Sequence, residues 1–262
     1  MTTASAELLY EVRDGIGLVT FNRPQARNAL TFAMYDRLVE ICSSVPKDGS
    51  VRVIIMTGAG GRAFAAGTDI SQFRTFETPE QGLAYEKRAD EIFAAIEACP
   101  VPTIAAIAGA CTGGGAGIAA CCDMRIAAAD LKFGFPIART LGNCLSAATL
   151  ARLVALVGQA RVTDLIFTSR LIEAPEAKAL GLVNEVCESH AAAMERAWAL
   201  ADQLKGHAPL TMQVTKELLR RMRNAGPRVD DHDLVAKVYT SADFREGMDA
   251  FLAKRPPRWQ GR

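Results

Sequence analysis

The sequence predicts an α/β protein built on parallel strands, and three observations carry that reading. Short apolar runs alternate with helix-like segments through the N-terminal half, the rhythm of a parallel sheet covered by helices. Two glycine-rich bends, Gly58–Ile70 and Gly109–Gly117, each follow a buried strand-like run directly. Half of the 262 residues are apolar, enough for a sizeable core and too many for a disordered chain.

Taken in order, Leu8–Arg13 and Ile16–Phe21 are strands joined by Asp14-Gly15, a hairpin signal. Thr31 is placed to cap a helix running to Ser43, with Leu38 and Ile41 on its apolar face. Val51–Thr57 is β-branched and mostly apolar, as a buried parallel strand should be. Residues 79–98 read as a helix with Leu83, Ile92, Phe93 and Ile96 inward; Thr103–Ala108 as a strand, Gly114–Cys122 as a helix, Met124–Ala128 as a strand. Ala98–Cys122 carries no charge, but Pro100, Pro102 and its glycines break it into strand, bend and helix, not a membrane span. Beyond Leu145 come helices at Leu145–Val157, Thr163–Phe167 and Pro175–Leu180, a strand-like run Leu182–Cys187, and helices from Ala191 to a basic tail.

Thirty Lys and Arg against 29 Asp and Glu leave a net charge of +1, which argues against a nucleic-acid or anionic-membrane partner. Seven cysteines without a C-x-x-C pair read as reduced, buried thiols. His190, His207 and His232 lack metal-ligand spacing, so no metal is expected. Met1–Glu7 has neither a basic start nor an apolar core, so no signal peptide is expected and the cytoplasm is the default.

The two bends are where chemistry is expected. Small residues at the carboxyl ends of parallel strands let backbone N–H groups approach a ligand, and a helix N-terminus adds its positive dipole end. Gly115–Ala120 matches the dinucleotide pattern G-x-G-x-x-A, but mid-chain and without the acidic partner. No Lys-Ser/Thr follows for a P-loop.

Asn22-Arg23-Pro24-Gln25-Ala26-Arg27-Asn28-Ala29-Leu30, then Phe64–Ile70, then Gly113-Gly114-Gly115 with Cys122-Asp123, then the ending Phe251–Arg262, stand in an order that resembles the crotonase (enoyl-CoA hydratase/isomerase) family from about residue 8 to 262. The resemblance implies a crotonase-like spiral of repeated ββα units over 1–190, and a C-terminal helical region, 191–262, that packs subunits into a homotrimer or a dimer of trimers. It implies a coenzyme A thioester as substrate, no tightly bound cofactor, and an oxyanion hole made by the amides of Ala66 and Gly114. Coenzyme A contacts would fall on Ala26, Arg27, Ala29, Gly67, Thr68, Asp69 and Ile70, with Lys254 reaching a phosphate.

Two positions depart from the family pattern. The glutamates of its hydratases correspond here to Gly117 and Ile137, and neither side chain can exchange a proton. An acyl-CoA enzyme working through an enolate is therefore the leading expectation, and ordinary hydration does not follow from the family resemblance. A malonyl-type decarboxylase needs no base to start, and Arg139 would hold the departing carboxylate. A non-catalytic acyl-CoA binder is the other alternative. Cys111 and Cys144 are weighed as lining residues, and Glu86, Asp90 and Glu91 as a solvated helix face from which one could turn inward. Restoring both glutamates in an otherwise intact pocket is expected to raise hydratase activity.

Overall fold

The computed structural model describes residues 6–73, 78–225 and 232–262; the first five of the residues read for a leader lie outside them. A six-stranded sheet runs in the order β1 (Leu8–Arg13), β2 (Ile16–Phe21), β3 (Val53–Gly58), β5 (Thr103–Ile107), β7 (Met124–Ala128), β10 (Glu185–Cys187). Only β1 and β2 pair antiparallel, through Asp14 and Gly15, both at positive φ as a primed hairpin turn requires. The other pairs are parallel.

A second, smaller sheet contains β4 (Ala63–Ala66), β6 (Ala110–Thr112), β8 (Lys132–Gly134) and β9 (Ile172–Glu173), in that order. The helices are α1 (Phe32–Ser43), α2 (Pro79–Glu97), α3 (Gly114–Cys121), α4 (Ile137–Thr140), α5 (Ala147–Val157), α6 (Gln159–Thr168), α7 (Ala174–Ala179), α8 (His190–Lys205), α9 (Pro209–Ala225), α10 (His232–Tyr239) and α11 (Ala242–Leu252). Each turn of the chain lays one strand in the large sheet, one in the small sheet, then a helix: β3–β4–α2, β5–β6–α3, β7–β8–α4. This is the spiral of ββα units.

The alternation of strand side chains decides where the two cores sit. Ile54, Met56, Ala105, Ile107 and Ala127 face the small sheet and α1–α3. Val53, Ile55, Ile104, Ala106 and Ile126 face the opposite way, against Ala193, Ala197, Leu200 and Ala201 of α8. Both faces are buried, which explains the unbroken apolar runs of β3 and β5.

Thr31 caps α1 by accepting from the Met34 amide, as its position predicts. Two expectations change. Leu83 is exposed (71%), because it lies off the stripe of α2 that Ile92, Phe93 and Ile96 bury. The run Leu182–Cys187 is strand only over Glu185–Cys187, while Leu182 and Val183 are buried in the turn before it. Among the described residues no helix is long and apolar enough to cross a membrane.

Candidate active site

β4 and β6 are parallel neighbours in register Ala66↔Thr112, and each ends in a bend. Register therefore sets Gly67 beside Gly113: a Cβ on Gly113 would lie 3.3 Å from Gly67 Cα. Gly67 (φ +96°) and Gly113 (φ +53°, ψ −122°) adopt backbone conformations that a side chain strains. Gly114 and Gly115 are glycine for a different reason, space. A Cβ on Gly114 would meet the Tyr35 hydroxyl at 2.0 Å, and one on Gly115 the Ala65 carbonyl oxygen at 2.2 Å.

Backbone pairing identifies the open donors. The Ala66 amide, expected to face the ligand, donates to the Arg27 carbonyl at 3.1 Å. Leu30 forms a parallel bridge to Thr68: its N–H donates to the Gly67 carbonyl (2.8 Å) and its carbonyl accepts from Asp69 (2.9 Å). In that pattern both bonds fall on the neighbours of Thr68, and no protein group among the described residues accepts from the Thr68 amide itself. Gly114 opens α3, where the first N–H groups have no intrahelical partner. Of the two amides expected to face a ligand, that of Gly114 is open at the start of α3 whereas that of Ala66 is taken by Arg27, and the open amide on the first bend is that of Thr68.

The segment that occupies Ala66 is itself pinned. Arg27 and Asn28 both have positive φ, and Asn28 is fully buried. Its Nδ2 donates to the carbonyls of Ala59 (3.0 Å) and Ala63 (2.7 Å), and its Oδ1 accepts from the Arg23 amide. Asn28→Ala removes these bonds and leaves a non-glycine residue in the left-handed region. We expect a loss of about 2–3 kcal/mol, read as a lower midpoint of urea unfolding.

Both open amides border a cavity of about 240 Å³. Its wall includes Thr68, Thr112 and Gly114 on one side, Tyr85, Glu86, Ile92 and Phe93 of α2 on another, and Phe135, Ile137 and Leu145 opposite. The Thr68 hydroxyl shares hydrogen bonds with Tyr35 (2.9 Å) and Tyr85 (3.1 Å). Burial raises the pKa of both phenols, so they stay neutral and act here as hydrogen-bonding anchors.

Gly117 is buried in α3 beneath the Phe93 ring; a Cβ there would stand 2.3 Å from Phe93 Cζ. Ile137 opens α4, buried and on the cavity wall. Neither position offers a titratable group: Gly117 is closed by a ring and Ile137 is a buried hydrocarbon. Gly115 and Gly117 are both shut against protein atoms, which removes the dinucleotide reading of Gly115–Ala120. Arg139 is exposed and is not part of the cavity wall, so the expected carboxylate anchor is absent from the site.

Of the expected coenzyme A contacts, Gly67, Thr68 and Ile70 border the cavity, whereas Ala26, Arg27, Ala29 and Asp69 do not. Asp69 carries a structural load: its carboxylate accepts from the Ser71 hydroxyl and amide and from Arg23, and these bonds, Ser71 first, lower its pKa. Lys254 lies exposed after α11, away from the cavity wall. Cys111 is buried with its thiol pKa raised by that burial, and neither it nor exposed Cys144 borders the cavity. Glu86 does, which makes it the acidic residue of α2 that turns inward.

A spiral of ββα units whose adjoining bends offer open amides to an apolar cavity defines a class of enzymes acting on acyl thioesters. The family model described as enoyl-CoA hydratase/isomerase matches residues 11–262, and the chain belongs to that family. A short-chain-enoyl-CoA hydratase of Clostridium acetobutylicum is 32% identical over 255 residues, covering 95% of each chain. A 2,3-dehydroadipyl-CoA hydratase of Escherichia coli is 32% identical over 262 residues, covering 98% of this chain and 100% of its own. Among solved structures, an enoyl-CoA hydratase/carnithine racemase from Magnetospirillum magneticum superposes with a TM-score of 0.88 at 34% identity, covering 99% of this chain and 97% of its own.

Proposed function

We propose that the protein binds an acyl-CoA thioester with the carbonyl oxygen between the Thr68 and Gly114 amides, and turns it over through an enolate without adding water. The observation that carries this reading is the pair of open amides on adjoining bends at one cavity wall. Such donors act on charge as it develops, and each is worth roughly 2.7–4 kcal/mol of transition-state stabilisation. The apolar wall formed by Ile92, Phe93, Phe135 and Leu145 suits a hydrocarbon acyl group.

Hydration is disfavoured because Gly117 and Ile137 supply no acid or base and Phe93 fills the space above Gly117. Decarboxylation of a malonyl-type ester loses support with the exposure of Arg139. The test is calorimetric. An acyl-CoA thioester should bind at least about 5-fold more tightly than the thioether analogue lacking the carbonyl oxygen, the value of one to two hydrogen bonds. Equal affinities would remove the oxyanion hole, and binding without turnover of enoyl-, 3-hydroxyacyl- or malonyl-type esters would leave a non-catalytic binder.

The same reading includes no tightly bound cofactor, a cytoplasmic location, and assembly through 191–262 into a trimer or a dimer of trimers. Leu219 and Met222 of α9, Tyr239 of α10 and Met248 of α11 are exposed apolar groups that a second copy would cover. Light scattering on the purified chain checks the assembly: a monomer would refute it.

A further inference from the structure

Glu86 stands on the cavity-facing stripe of α2, one or two turns from Ala89, Ile92 and Phe93. A carboxylate present only for solvation belongs on the opposite face, where Lys87 and Glu91 are exposed. It is the sole Asp or Glu among the described residues bordering the cavity. Its Oε2 accepts from the Ser146 amide at 3.1 Å, which fixes the side chain, and its Oε1 has no protein partner among the described residues. Asp90, one turn on, is held by the Ser146 hydroxyl (2.7 Å) and by Arg152 of α5. Arg88, the cavity's cation, is engaged by Asp36 at 2.5 Å and lies over the Phe32 ring, so it does not neutralise Glu86.

We infer that Glu86 is the catalytic residue that takes a proton from one carbon of the bound acyl group and returns it to another, so that the site moves a double bond. This rests on the oxyanion-hole reading above. In a β,γ-unsaturated thioester the Glu86 carboxylate removes a proton from the carbon next to the carbonyl. The C–H electron pair becomes the carbon–carbon double bond of a dienolate, whose negative oxygen faces the Thr68 and Gly114 amides. The protonated Glu86 then gives its proton to the γ carbon, the oxygen's electrons re-form the carbonyl, the double bond settles between the α and β carbons, and the carboxylate is regenerated. No water, oxidant or second acid enters. One carboxylate suffices for this shift, whereas hydration needs groups to handle both the water and the carbon.

Burial raises the Glu86 pKa, the Ser146 amide opposes it and the Asp90 charge adds to the rise, so this carboxylate takes up a proton more readily than an ordinary glutamate. The groups facing it are Asp90 and Tyr85 of its own helix and Ser146 before α5, with Arg152 acting through Asp90; Arg88 borders the same cavity but is held by Asp36.

The experiment incubates a β,γ-enoyl-CoA with the full chain in deuterated water, and follows deuterium at the α carbon and the appearance of the α,β isomer by mass spectrometry and NMR. Calorimetry of a saturated acyl-CoA and of its thioether analogue runs alongside. Wild type should exchange and isomerise. Glu86→Gln should lose at least about 100-fold in rate with affinity within about 3-fold of wild type, and Glu86→Asp should retain part of the activity. The wild-type rate should rise with pH through an inflection above the ordinary glutamate value of about 4.3, absent from Glu86→Gln. Exchange by Glu86→Gln at the wild-type rate, or a loss that only follows a loss of affinity, overturns the assignment. Wild type that prefers the thioester but neither exchanges nor isomerises overturns it too, leaving the oxyanion hole standing. Wild type with no preference for the thioester overturns both.

Discussion

Gly114→Ala is expected to lower turnover about 100- to 1000-fold while the chain still folds. The backbone at Gly114 is ordinary helix, so alanine suits its conformation and improves its helix propensity. What it lacks is room: the added Cβ would stand 2.0 Å from the Tyr35 hydroxyl and 3.1 Å from Thr68 Oγ1. Either α3 shifts, moving the Gly114 amide, or Tyr35 moves and releases the Thr68 bend that it holds at 2.9 Å. Both routes misplace one of the two amides proposed as the oxyanion hole, and losing one such donor costs about 10²–10³ in kcat. Tyr35→Phe removes the clashing oxygen, so Tyr35→Phe with Gly114→Ala should recover about 10-fold over Gly114→Ala alone. The check is a double-mutant cycle on turnover with melting temperatures alongside. Additive losses would show that Tyr35 and Gly114 do not share the space.

Gly117→Glu with Ile137→Glu should not produce a hydratase, contrary to what the sequence suggests. A side chain at position 117 would start 2.3 Å from Phe93 Cζ and 2.8–2.9 Å from two more ring carbons. Phe93 belongs to the main core and also lies 5.8 Å from the Arg152 guanidinium, so its ring is not free to swing away. Two carboxylates would thus be forced into packed hydrocarbon, each needing a partner that the site does not supply. We expect a fall in stability of at least about 3 kcal/mol and no hydration of enoyl-CoA. Adding Phe93→Ala opens the space above residue 117, and the triple variant should be the first to hydrate. Hydratase activity in the double variant would refute the view that Phe93 occupies the acid's place.

The residues behind these two expectations also mark the limit of what a sequence reveals. The hairpin, the Thr31 cap and the buried strands are legible because their signals are local: a turn dipeptide, a capping side chain, a periodicity. The small sheet is not, since β4, β6 and β8 are 3–4 residues long and composed largely of Ala, Gly and neighbours of the bends, too short to show a period. The sequence draws attention to the two bends, yet on the first it points to Ala66, whose amide is engaged, where that of Thr68 stands open. That distinction is made by residues 27 and 30 bonding across to the first bend, a pairing between segments almost forty residues apart. Likewise, the missing glutamates can be read from Gly117 and Ile137, but the ring over Gly117 comes from another helix. Glu86 carries a usable signal, a charge at helical spacing from Ala89 and Phe93 on an apolar stripe.

Isotope-edited infrared difference spectroscopy of a bound acyl-CoA, reading the thioester carbonyl stretch, addresses the hole itself. Two amides converging on the carbonyl oxygen, as proposed, would polarise that carbonyl, so its band should move to lower frequency on binding wild type and return toward the free value in Gly114→Ala. A carbonyl band that stays at its solution frequency in the wild-type complex would contradict the account.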